Sequence, residues 1–267
     1  TYHAFCRKIL LENSASTGLA MKGGIMDRSV FLAWGVQNID EFGFDDHVVM
    51  VNNEFEIIEN IIDGISVFNQ QLISPDDLEK YVEDKLAGTL QIADEEEQDY
   101  VHQLKNLVRV YKKYVEFKKE IDVMDYDDLI IEFNNLVSNN SKIKESLQNK
   151  FKHILIDEFQ DNNFAQFEIV KKISKDGNVT AVGDADQNIY TFQGAYRGIF
   201  KDFKVSYPNF HEIALVTNYR NPPNVTKLAN DLLSQDAGRE GKVIVSDKDD
   251  DTLVNVTSCS SEFSQID

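Results

Sequence analysis

Residues 151–195 read FKHILIDEFQDNNFAQFEIVKKISKDGNVTAVGDADQNIYTFQGA, and the rest of the chain can be arranged around them. The order is buried strand, acidic turn, helix, second buried strand, polar turn. His153-Ile154-Leu155-Ile156 is a short apolar run of the kind found in the middle of a parallel sheet. It ends on Asp157-Glu158, at the carboxyl end of a strand, where open α/β sheets bind their ligands. Phe164, Phe167, Val170 and Ile173 recur at helical spacing and predict a helix packed back on the sheet. Residues 179–182 form the second strand, left by the tight polar loop Gly183-Asp184-Ala185-Asp186-Gln187. Parallel strands joined by a helix carry their functional ends on one edge. Asp157, Glu158, Asp184 and Gln187 are therefore expected to face one crevice.

Phosphoryl transfer with a divalent metal needs such an arrangement. A hard cation such as Mg²⁺ takes oxygen ligands, usually one or two carboxylates together with substrate phosphates. A second carboxylate can position and deprotonate a water for attack on a terminal phosphate. The plainer alternative is that Asp157 or Asp161 caps the following helix.

Composition bounds the rest. At 267 residues the chain can hold two domains and bury a sizeable core. With 42% hydrophobic residues it is globular rather than disordered. The two cysteines, Cys6 and Cys259, lie at opposite ends, which excludes a disulfide framework and suits a reducing, cytoplasmic setting. No apolar run of about 18 residues occurs and no charged-then-apolar leader opens the chain, so no membrane partner is expected. The five histidines are scattered, without the HExxH pairing of a zinc site. Forty-six acids against 27 bases give a net charge of −19, the wrong balance for broad phosphate contact. Nucleic acid would thus need a local groove, and binding there would be weak and salt-sensitive.

In chain order, Phe5, Ile9 and Leu10 mark a short helix. Residues 40–50 are acidic and carry no clear period. Residues 54–68 place Phe55, Ile58, Ile61, Ile62 and Ile65 at helical intervals. Ser74-Pro75 is a helix start, followed by Leu78, Tyr81, Val82 and Leu86 on one face. Residues 94–119 read as a long helix striped by Tyr100, Leu104, Leu107, Val108, Tyr111 and Val115, an aromatic stripe more in keeping with core than with base stacking. Asp125 caps a helix whose buried face is Leu129, Ile130, Phe133, Leu136 and Val137, and Ser141 caps the next. After the central stretch come a helix over 197–203, a strand over 212–216, a helix opened by Pro222-Pro223, a solvated acidic turn at 247–251 and a short strand over 253–256.

Several segments resemble motifs of the superfamily 1 UvrD/Rep/PcrA helicases. Asp157-Glu158-Phe159-Gln160-Asp161 resembles motif II, and residues 182–190 with Gly194-Ala195 resemble motif III. Leu215-Val216-Thr217-Asn218-Tyr219-Arg220 resembles motif IV, Thr1-Tyr2-His3-Ala4-Phe5 the TFH motif, and residues 124–129 the DFDDL segment. The Gly-Asp-Ala-Asp-Gln form is closer to this branch than to the nuclease-fused RecB/AddA branch, whose usual form is GDPKQ. The match covers both ends of the chain, whereas residues 16–121 match only in length and helical character.

The resemblance implies an α/β, RecA-like P-loop NTPase helicase core with a parallel sheet and an inserted α-helical subdomain. Residues 1–15 and 122–211 would form the first RecA-like domain, 16–121 the insertion, and 212–267 the start of the second. ATP and Mg²⁺ are the implied cofactors. Asp157 would hold Mg²⁺, Glu158 would orient the attacking water, Gln187 would contact the γ-phosphate, Arg220 would be the arginine finger and Tyr219 would stack on adenine. Thr1, His3, Tyr190 and Phe192 would touch single-stranded DNA or a 3′-tailed duplex. Phe192 stands where the family usually has tryptophan, and Gln193 where it has arginine.

No G-x-x-x-x-G-K-[ST] motif occurs in the sequence, so the phosphate-cradling loop is missing. The expectation is a middle fragment of a 3′-to-5′ DNA helicase acting in repair or replication. The fragment alone should not hydrolyse ATP, and its exposed strand edges should promote a non-native dimer. The alternative is a non-catalytic module that binds single-stranded DNA or another partner.

Overall fold

A computed structural model describes residues 1–14, 24–44, 53–188, 195–196, 198–235, 242–249 and 253–255. The chain divides into two compact units, 1–206 and 207–267.

In the first unit, helix α1 spans Tyr2–Glu12, α2 Arg28–Gln37, α3 Glu54–Gln70, α4 Pro75–Leu86 and α5 Glu95–Glu120. Helices α6 (Tyr126–Asn139) and α7 (Ser141–Lys150) lead into strand β1 (Ile154–Ile156). Helix α8 (Phe164–Ile173) then crosses to β2 (Val179–Ala181), and α9 (Ile199–Ser206) follows. The pairing of β1 with β2 is parallel, Ile154 opposite Val179 and Ile156 opposite Ala181. The first unit is thus α/β with a small parallel sheet, as the central stretch predicts. No helix among the described residues is long and apolar enough to cross a membrane.

Two larger cores and a smaller cluster, Leu78 and Val82 of α4 on Val101, Leu104 and Val108 of α5, are found among the described residues. In one, Cys6, Ile9 and Leu10 of α1 meet Leu129, Ile130, Phe133, Leu136 and Val137 of α6, together with Ala165, Ile169 and Ile173 of α8. All five apolar positions read for α6 are buried, because one face of a helix with period 3.6 is filled by them. The other core joins Phe31 of α2, Ile57, Ile58, Ile62 and Ile65 of α3, and Val110, Tyr111 and Tyr114 of α5. Phe31 stacks on Tyr114 at 3.6 Å, and Trp34 stacks on Phe117 at 4.7 Å. Tyr111 and Tyr114 are therefore core, while Tyr100 is exposed. The segment around Gly24 and Met124 closes the helical block: Met26 N–H donates to Met124 C=O at 2.6 Å, and Met124 N–H to Gly24 C=O at 3.2 Å. The chain thus leaves for, and returns from, residues 26–123 at adjacent points.

Between the two cores sits a buried ionic cluster. Lys118 Nζ lies 2.7 Å from Asp125 Oδ2 and 2.7 Å from Asp128 Oδ1, and the Tyr114 hydroxyl donates to Asp125 at 2.7 Å. Burial alone would lower the Lys118 pKa, but the two carboxylates outweigh it and hold it high. Asp127 forms no ion pair among the described residues; its Oδ2 accepts the Ser66 hydroxyl at 2.8 Å. Burial, and then the charge of Asp125, push Asp127 up to about 6 from 3.8. The folded state therefore keeps a proton that the unfolded chain releases, and that contribution is complete below the unfolded value and lost as pH rises through about 6. Asp127→Asn keeps an acceptor for Ser66 and removes the charge. Its thermal midpoint should exceed that of the parent by a few degrees near pH 7.5, with the gap narrower at pH 5, as thermal denaturation at both values will test.

Several local expectations are corrected. Helix α7 is capped by Asn140, whose side chain accepts Ile143 N–H, and not by Ser141. Helix α2 and the 3₁₀ turn Ile39–Phe42 occupy a region where the sequence carries no clear signal. Leu155 is 77% exposed, because strand side chains alternate and no described element covers its face. In the second unit, the strand expected over 212–216 is replaced by β3 (Thr217–Asn218), paired in parallel with β4 (Val245–Ser246). Ile213 and Leu215 are exposed in irregular backbone. Pro222-Pro223 does open a helix, α10 (Pro223–Leu233). Residues 253–255 form no strand, and 256 lies outside the described residues.

Candidate functional site

The turn after β1 begins with an uncommon backbone. Glu158 has φ 50° and ψ 47°, left-handed values that cost a non-glycine residue roughly 1–2 kcal/mol. Such strain persists only where surrounding contacts over-determine it. Three do so here. Asp157 Oδ1 accepts Glu158 N–H at 3.0 Å, Phe159 N–H donates to Val182 C=O at 2.9 Å, and Gln160 Nε2 donates to Glu158 Oε2 at 2.7 Å. Directly below, Phe159 is fully buried, its ring edge-on to Phe167, Phe200 and Phe203 at 5.3–5.6 Å. The turn is thus pinned from beneath by aromatic packing and from the side by β2.

Helix capping does not account for the acids. The cap of α8 is Asn163, which accepts Gln166 N–H at 2.9 Å while the Gln166 side chain returns to Asn163 N–H. Asp157 and Glu158 remain exposed at the strand end.

The loop after β2 reaches the same edge. Asp184 N–H donates to Gln160 Oε1 at 2.9 Å, and Asp184 Oδ2 accepts Gln187 Nε2 at 2.9 Å. Asp157, Glu158, Asp184 and Gln187 therefore share the carboxyl edge of β1 and β2, as the strand–helix–strand reading predicts. Among the described residues no group of three His, Cys, Asp or Glu converges to form a metal cage. One exposed carboxylate fits a Mg²⁺ that keeps its waters and is shared with phosphates, since that ion is seldom caged by protein alone.

Two residues in this linkage escaped the reading of the sequence. Gln160 is 2% exposed and bonds both loops. Gly183 makes room for it: a Cβ there would lie 2.5 Å from Gln160 Oε1 and 3.0 Å from Phe159 N. The signal was a carboxamide set between the buried-type Phe159 and Asp161, with a glycine at the end of the partner strand.

The remaining candidates are distributed. Thr1 caps α1, its hydroxyl accepting Ala4 N–H at 3.3 Å. His3 sits edge-on to Tyr126 at 5.7 Å, and burial lowers its pKa. A polar cavity of about 200 Å³ is lined by His3, Asp127, Asp161 and Gln166, so the first helix and the acidic turn share one depression. In the second unit, Tyr219 is 72% exposed and so is not core. Asn218 Oδ1 accepts the N–H groups of Arg220 and Asn221 at 2.9 and 2.8 Å, fixing the turn, and the exposed Arg220 side chain forms no salt bridge among the described residues. Tyr190 and Phe192, with Gln193, lie outside the described residues.

A two-strand parallel edge with Asp-Glu after one strand and Asp-x-x-Gln after the next defines a candidate phosphate-handling α/β site. Residues 1–208 match the family model described as the UvrD/REP helicase N-terminal domain. The chain belongs to the UvrD/Rep helicase family. It is similar to an ATP-dependent DNA helicase Rep of Buchnera aphidicola, 36% identical over 155 residues, covering 58% of this chain and 23% of that protein. A probable DNA helicase II homolog of Mycoplasma capricolum is 27% identical over 271 residues, 99% of this chain and 34% of that protein. An ATP-dependent DNA helicase PcrA of Staphylococcus epidermidis is 30% identical over 248 residues, 91% of this chain and 30% of that protein. The chain spans about a third or less of the length of these relatives.

Proposed function

We propose that this chain is the middle part of an ATP-dependent DNA helicase that couples ATP hydrolysis to 3′-to-5′ translocation on single-stranded DNA, in repair or replication. The observation that carries the reading is the shared carboxyl edge on which Glu158 and the Asp184–Gln187 loop are joined through Gln160. The domain plan is that of a RecA-like core with a helical insertion, and the adjacent exit and return of the chain at Gly24 and Met124 support it. It rests also on relatives named as ATP-dependent DNA helicases.

In this reading Asp157 holds the metal side of the nucleotide and Glu158 accepts a proton from the attacking water. Mg²⁺, when bound, neutralises charge on the phosphates. Gln187 bonds the terminal phosphate, exchanging its present contact with Asp184 for one with the substrate. Tyr219, exposed at its turn, offers a face to adenine, and Arg220 supplies a guanidinium to the transition-state charge. Thr1, His3, Tyr190 and Phe192 contact the strand. A non-catalytic module would leave the strained and tethered Glu158 without a use.

The test is ATP turnover by the full-length protein with and without single-stranded DNA; no stimulation by DNA would sink the proposal. Phe192→Ala removes one stacking face. It should weaken single-strand affinity by about 1–3 kcal/mol at fixed salt and leave nucleotide affinity unchanged. Unchanged strand affinity would remove Phe192 from the DNA face.

A further inference from the structure

We infer that Gln160 is a positioning residue that aims the Glu158 carboxylate and locks it to the loop after β2; the inference rests on the reading of Glu158 as the group that orients the attacking water. The amide is used at both ends. Its Nε2 donates to Glu158 Oε2 at 2.7 Å and its Oε1 accepts Asp184 N–H at 2.9 Å. These partners fix its orientation, since the flipped amide would set oxygen against carboxylate and N–H against N–H. Gln160 is buried, so neither bond is exchanged cheaply for water.

The geometry makes a continuous chain from Gln187 Nε2 through the Asp184 carboxylate and backbone to Gln160 and on to Glu158. Glu158 itself is exposed and in left-handed backbone, so its own surroundings do little to select one side-chain direction. Gln160 supplies the selection. It also ties the carboxylate to the segment that carries Gln187, so a shift of that segment is felt at Glu158. Gly183 belongs to the same device, because any larger residue there would push a Cβ into Gln160 Oε1.

The experiment compares Gln160→Met, Gln160→Glu and Gly183→Ala in the full-length protein, beside Glu158→Gln. Methionine keeps length and removes both bonds. Glutamate keeps an acceptor for Asp184 N–H but sets a second carboxylate against Glu158. Alanine at 183 displaces an unaltered Gln160. All three should lower DNA-stimulated kcat by roughly 10- to 100-fold, while KM and the affinity for a fluorescent ATP analogue stay within about twofold. Thermal midpoints identify variants that merely unfold. Wild-type kcat in Gln160→Met overturns the inference, as does a loss of nucleotide affinity parallel to kcat in all three variants, which would mark a structural residue only. Turnover retained by Glu158→Gln would instead overturn the underlying functional reading.

Discussion

Glu158→Gln in the full-length protein is expected to lower DNA-stimulated ATP hydrolysis by roughly 10²- to 10⁴-fold, the usual contribution of a positioned general base. Nucleotide affinity should hold, because the change alters neither the length of the side chain nor the acid at 157. The local structure gives a reason to expect a clean result. Gln160 Nε2 donates to one carboxylate oxygen of Glu158, and a carboxamide can present its own oxygen to the same donor. The left-handed backbone is no worse for glutamine than for glutamate. What is removed is the ability to take a proton. Single-turnover hydrolysis and equilibrium nucleotide binding at one salt concentration separate the two effects; hydrolysis at the parent rate would remove Glu158 from the chemistry.

Phe159→Ala carries the largest expected stability effect. The ring is fully buried and meets Phe167, Phe200 and Phe203, while the backbone N–H of the same residue donates to Val182 C=O just after β2. Truncating such a phenylalanine costs about 3–5 kcal/mol, as lost transfer energy plus the cavity left behind. Edge-to-face pairs add to the loss. The consequence extends past stability, since Phe159 lies between Glu158 and Gln160 and anchors the strained turn. Denaturant titration of parent and variant measures the cost. A loss below about 1 kcal/mol would mean that the cluster of rings collapses onto the gap without holding the turn.

Residue type and period alone made much of the scaffold legible. Asp125 caps α6 with a reciprocal box to Asp128, and Ser74 caps α4 with Asp77, as short-range rules anticipate. The apolar face of α6, the crossover of α8 and the parallel pairing of β1 with β2 follow from periods of 3.6 and 2. The same periods put Asp157, Glu158, Asp184 and Gln187 at one edge, so half of the candidate site was readable before any coordinates. Where short-range signals are weak the reading fails: the two-residue β3 lies beyond the apolar run at 212–216, because its register is set by Val245 donating to Val216 C=O rather than by local pattern.

By itself, then, the sequence determined the central strand–helix–strand order, the caps of α4 and α6 and the edge on which the acids and amides would lie, because those depend on neighbours within about four residues. Only the tertiary structure decided which side chains meet. The stripe of α5 points to core as a whole, but it does not say that Tyr100 lies outside that core, that Tyr114, off the stripe, lies within it, or that Lys118 is buried between Asp125 and Asp128. Above all, nothing local to Gln160 says that its amide reaches Glu158 on one side and Asp184 on the other. That bond joins residues 24 apart, across two loops brought together by a parallel pair of strands, and Gly183 must lack a side chain for it to form. Long-range approach of this kind is settled by packing, in which every neighbour has a say, and so it leaves no period in the sequence to be read.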